Sequence, residues 1–211
     1  MKNKLIIKIL STIVFVMIYA SCSQDRLDLQ PIQDTEASYF TEEIHFQNAI
    51  LGVYAKMSDH YWYGNNNPIH EFWLLPGDDL TTNGDVPFEV FTTLNEGVGE
   101  IGRYFQTSYQ IIARANVVLE KIDYEELTKV ITTPNLRNSI KGEALFLRGY
   151  TLMQLWNYFG TAPLVTERIK TQDKITPPSS SGTELIDQAI QDLDQAATLL
   201  PASWQASDIG R

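Results

Sequence analysis

Four segments of this chain carry apolar residues at steps of three and four, and none carries the strict alternation of a strand. A helix with one apolar stripe must bury it against another helix, so the pattern predicts an all-α fold. The first segment uses Phe46, Ile50, Val53, Tyr54 and Met57. Thr41 is its expected N-cap, with Glu42 and Glu43 in the first turn, where the helix dipole favours acids. The second uses Tyr104, Ile111, Ile112, Ala115, Val118, Leu119 and Ile122, with Arg114 and Asn116 beside the stripe. The third spans 135–158, after Pro134, which suits a first turn that leaves N–H groups unpaired. Its second half is apolar nearly all round, which predicts a central, buried helix with Trp156 and Tyr158 in the core. The fourth opens with Ser181 and Glu184 at capping-box spacing. It uses Leu185, Ile186, Ala189, Ile190, Leu193, Ala197 and Leu200, and stops at Pro201. The helices read as pairs, although no strict period of about 34 residues is visible.

Cys22 is the sole cysteine, so the core must hold by apolar burial without an internal disulfide. It follows a basic start (Lys2, Lys4, Lys8), an apolar run from Ile9 to Ala20 and the small residues Ala20-Ser21. That order is an export signal, and the run is shorter than the ~20 apolar residues a membrane-spanning helix needs. A cysteine directly after the small residues resembles a bacterial lipoprotein signal, in which Cys22 becomes the lipidated first residue. The expected organisation is a signal peptide over 1–21, a lipidated polar tether over 22–40 and a helical domain over 41–211.

The net charge is −10, and losing the three signal lysines makes the remainder more acidic. No basic stripe is present to neutralise phosphates, so nucleic acid is not an expected partner. The least regular part is 60–102, rich in turns and aromatics. Loops of this length are usually functional or disordered, and disordered segments are poor in aromatics. Flat rings can stack on sugars, and acids and amides can bond hydroxyls. The candidate ligand-binding residues are therefore Trp62, Tyr63, Trp73, Asp78, Asp79, Asn83 and Phe88, with Tyr61 and Phe91 in the same aromatic set. The bland alternative is that these rings pack the loops onto helices, with Asp capping turns.

Catalysis is not expected. A glycoside hydrolase needs two carboxylates about 5 to 9.5 Å apart, and no spacing selects a partner for Asp78 or Asp79. There is no phosphate-binding glycine loop, no GxSxG and no HExxH among His45, His60 and His70. No metal or other cofactor is expected, and the oxygen cluster Asp78, Asp79, Asn83 and Asp85 does not match an EF-hand loop. Arg114, Asn116, Glu143 and Arg148 are expected to form pairs or caps at helix contacts.

Four motifs in order carry a family resemblance: Tyr109 to Glu120, Lys141 to Tyr150, Trp156 to Val165, and Asp192 to Ala197 with Leu199-Leu200-Pro201. They resemble the SusD/RagB-like outer-membrane lipoproteins of Bacteroidota. The resemblance implies tetratricopeptide-like helix pairs with long irregular loops. It implies a surface-exposed, non-enzymatic nutrient-binding lipoprotein of the outer membrane, used in polysaccharide utilization. Such a protein captures glycans and delivers them to a TonB-dependent, SusC-like transporter. Peptides or other oligomers on the same scaffold are the alternative, and a hydrolase is the reading from another class. The resemblance also implies that this chain is the N-terminal part of a longer protein.

Overall fold

A computed structural model describes residues 36–59, 74–77, 79–81, 87–91 and 99–204. The chain divides into two units, Met1–Tyr39 and Phe40–Arg211. In the first, the described residues form a single helical turn, Glu36–Tyr39. The second contains four long helices: α1 (Glu43–Met57), α2 (Gly99–Ile122), α3 (Leu136–Phe159) and α4 (Glu184–Leu199). Among the described residues there is no strand, only an isolated bridge between Pro163 and Ser179. None of the described helices is long and apolar enough to cross a membrane.

α3 is the central element, packing on α1, α2 and most extensively on α4. Successive helices run antiparallel. Tyr104 and Phe105 at the start of α2 meet Tyr158 and Phe159 at the end of α3, edge to face at 5.3 and 5.2 Å. At the other end, Arg137 and Lys141 of α3 reach Asp123, just past α2. The result is the tetratricopeptide-like pairing expected from the sequence.

The expected stripe of α1 holds, with Phe46, Ile50 and Val53 fully buried. Its N-cap is Glu42 rather than Thr41. The Glu42 N–H donates to His45 Nδ1 at 3.1 Å, which moves the start one residue on. The Glu43 carboxylate instead leaves its helix and accepts from the Thr132 and Thr133 N–H groups, both at 2.9 Å, and from the Thr133 hydroxyl at 2.6 Å. One acid thereby ties α1 to the loop before α3. Arg114 of α2 adds a second tie, donating to the Gly52 carbonyl at 2.6 Å.

Two expectations need correction. Trp156 is not core; it is 37% exposed, because it falls on a side of α3 that the packed helices leave uncovered. On α4 the buried row is Leu185, Ala189, Asp192 and Ala196, while Ile190 is 51% exposed and Ala197 is exposed. The stripe is rotated because a charged residue, Asp192, occupies the buried row. Small residues let α3 and α4 close tightly. A Cβ at Gly149 would stand 3.0 Å from the Ala189 carbonyl oxygen and 3.0 Å from Asp192 Cβ. One at Gly142 would stand 2.9 Å from Leu200 Cγ.

Candidate functional site

The most constrained chemistry in the described structure is a buried polar hub between α2, α3 and α4. Arg148 is 7% exposed and Asp192 1%. They form a bidentate pair, Nε to Oδ2 at 2.7 Å and Nη2 to Oδ1 at 2.8 Å. The planar fork of arginine matches a carboxylate in this way, and the pairing is stronger than a neutral hydrogen bond. Gln188, one turn before Asp192, donates to the same Oδ1 at 2.9 Å. The remaining arginine nitrogen, Nη1, donates to Asn116 Oδ1 at 2.8 Å and to the Thr166 carbonyl at 2.7 Å. Asn116, also buried, turns its amide to the Val165 and Glu167 carbonyls at 3.2 and 3.1 Å. The expected structural role of Asn116 and Arg148 is thus observed in detail.

The hub does more than join helices. It fixes three successive carbonyls of the irregular segment 160–183, which links α3 to α4. That segment is also pinned at its base. The Tyr109 hydroxyl donates to the Pro163 carbonyl at 2.6 Å, and the Ser180 N–H donates to the Ala162 carbonyl at 3.0 Å. Burial pushes the Tyr109 hydroxyl well above its ordinary pKa, so it remains a donor. Leu164 and Val165 pack on a core cluster that includes Ile112, Leu155 and Leu185. A loop held by buried side chains behaves as part of the scaffold, and such loops commonly carry binding function.

Among the described residues, three cavities border this loop. The largest, about 560 Å³, lies between it and the C-terminal half of α2, with Asn116, Glu120 and Asp123 on one wall and Arg168, Lys170 and Lys174 on the other. The second, about 320 Å³, lies within the loop and shares Thr166, Glu167, Arg168 and Lys174 with the first. The third, about 250 Å³, lies against Tyr109, Ala113 and Val117 of α2. Arg168 borders all three. Glu120 bonds Lys170 at 2.9 Å and faces Arg168 at 3.9 Å. Asp123 takes Lys141 at 2.7 Å and Arg137 at 3.3 Å. These groups supply donors and acceptors for a polar ligand. Among the residues lining these cavities, Tyr109 alone carries an aromatic ring.

The residues proposed from the sequence fall elsewhere. Cys22, Trp62, Tyr63, Trp73, Asp78 and Asn83 lie outside the described residues. Asp79 is exposed in a turn. Phe88 sits in the helical turn Pro87–Val90 and is only 5% exposed, its ring packed into the protein. Phe91, directly after that turn, is the opposite case. Its ring is 61% exposed and its backbone is left-handed, φ 52°. A bulky residue there is a true outlier. Among described groups of His, Cys, Asp and Glu, none is arranged to hold a metal ion. The cleft along 164–174 was not anticipated from sequence. The usable signal was Asp192, a charged residue in register with Leu185 and Ala189, which marks a buried partner.

Comparison with known proteins gives the family of the chain. Residues 27–209 match the SusD-like family described as starch-binding and associating with the outer membrane. A SusD-like protein of Formosa agariphila is 21% identical over 97% of this chain, and the chain spans 40% of that protein's length. A solved laminarin-binding SusD-like protein superposes with a TM-score of 0.69 at 25% identity, covering 81% of this chain and 37% of that one. A SusD superfamily protein from Bacteroides vulgatus superposes with a TM-score of 0.65 at 26% identity, covering 79% of this chain and 36% of its own. This chain belongs to the SusD-like family.

Proposed function

We propose that the protein is a surface lipoprotein that binds glycans without cleaving them and passes them to a TonB-dependent, SusC-like transporter of the outer membrane. The observation that carries this reading is the match of residues 27–209 to a starch-binding, outer-membrane-associated family. The laminarin-binding relative supports a polysaccharide as the ligand class. The basic start, apolar run and small residues before Cys22 support a lipid anchor there. Trp62, Tyr63, Trp73, Asp78, Asp79 and Asn83 remain the proposed sugar contacts of the 60–102 region.

The test is native gel electrophoresis of the full chain through gels containing laminarin or starch, with product analysis of each polysaccharide afterwards. Retarded migration with no shortened product is the expected result. Unretarded migration in every polysaccharide, or release of shorter oligomers, would refute the reading.

A further inference from the structure

α1 starts on a hydrogen bond that only a neutral histidine can accept. The Glu42 backbone N–H points at His45 Nδ1, 3.1 Å away. A backbone N–H can only donate, so Nδ1 must carry a lone pair and the ring proton must sit on Nε2. A protonated imidazole holds a proton on both nitrogens and accepts nothing. His45 therefore fills the third position of a capping box, where Glu or Gln is usual and keeps its acceptor in mild acid. Histidine instead changes charge between about pH 5 and 8.

The same turn sets how the chain enters the bundle. The Phe40 ring, 6% exposed, packs on Phe46 at 4.9 Å across the cap, in the manner of a hydrophobic staple. The charged groups at this junction are Glu42 itself, Glu43 and Lys121. Lys121 of α2 stands 5.9 Å from the centre of the Phe40 ring. Glu43 is turned to Thr132 and Thr133, whose hydrogen bonds hold it below its ordinary pKa, so it stays ionised in mild acid. From this we infer that His45 is an acid-sensitive clasp on the start of α1. Its protonation breaks the bond to Glu42 and sets one N–H against another. The first turn of α1 then loosens, while Glu43 and the Phe40 ring keep the helix docked.

Hydrogen exchange of the full chain, read by mass spectrometry and corrected for the intrinsic effect of pH on exchange, tests this. Protection in peptides covering 41–46 is expected to fall several-fold between about pH 8 and about pH 5.5. Peptides of α3 should keep theirs. His45→Gln retains an acceptor that acid does not remove, and should stay protected at both pH values. His45→Ala has no acceptor and should show the low protection at both. The α3 peptides of each variant report that it is folded. A fall in His45→Gln as large as in the unaltered chain overturns the clasp. So does His45→Ala with the unaltered chain's pH dependence, and so does protection at 41–46 in the unaltered chain that ignores pH.

Discussion

At the scale of single residues, Arg148 and Asp192 decide how α4 sits. Removing one member of a buried pair leaves an uncompensated charge, typically a loss of ~3–5 kcal/mol, whereas exchanging both for apolar groups is often neutral. Asp192→Asn is expected to cost in that range in urea melts. Arg148→Met combined with Asp192→Leu should recover much of the loss in helix packing, yet leave the Thr166 carbonyl without its donor. A double variant as unstable as Asp192→Asn alone would show that the pair does not act as a unit. Phe91 poses a different question. Its exposed ring contributes little to the core, and its left-handed backbone stores strain of about 1–3 kcal/mol. Phe91→Gly should therefore raise stability by roughly 1 kcal/mol. If the ring also stacks on a glycan, the same variant should lose ~1–3 kcal/mol of binding, as anchor residues do. A stability gain with unchanged laminarin affinity would remove Phe91 from the site.

Among the elements, the helices were legible and their exact faces were not. Periodicity located all four to within a few residues, because a stripe of Ile, Leu and Val has one physical use. It misjudged α4, where the reading skipped Asp192 and chose Ile190 and Ala197 in its place. Only the partner on α3 makes a buried aspartate tenable, and that partner lies 44 residues away. The seam between α3 and α4 was likewise invisible, since glycine in a helix reads as a defect until its neighbour is known. Gly149→Ala pushes a Cβ against the Ala189 carbonyl and should cost about 1–3 kcal/mol by overpacking. Gly52 in α1 is the control. A Cβ there meets nothing within 4 Å, so Gly52→Ala should stabilise by roughly 0.5–1 kcal/mol. Thermal melts of the two variants moving in the same direction would contradict the close approach of α3 and α4.

For the whole molecule, the sequence led to the 60–102 region as the site because aromatic-rich loops advertise themselves. The cleft along 164–174 stayed hidden because its parts come from α2, from the loop, and from a hub spread over three helices. Tyr109 belongs to that assembly, and its titration exposes how the loop is held. Burial raises its hydroxyl well above the ordinary tyrosine value of about 10. The folded state therefore keeps a proton that the unfolded chain gives up. The associated stability is fully present below about pH 10 and is lost as pH rises beyond it. The acid side runs the other way. Hydrogen bonds from the Thr133 hydroxyl, then from the Thr133 and Thr132 backbone, hold Glu43 below its ordinary pKa. Its contribution is present above about 4.3 and is lost as pH falls through the lowered value. Melting temperature against pH should then decline at both ends. Glu43→Gln should flatten the acid decline and leave the alkaline one. Tyr109→Phe should reduce the alkaline decline without removing it, because burial also raises the Tyr158 hydroxyl, and should cost ~0.5–1.5 kcal/mol at neutral pH through the lost bond to Pro163. Because Pro163 anchors the loop that carries Arg168, Tyr109→Phe should in addition loosen protection of the 164–174 amides in hydrogen exchange. Unchanged exchange in that loop, with the alkaline decline intact, would mean that Tyr109 is a packing residue and that the hub alone positions the cleft.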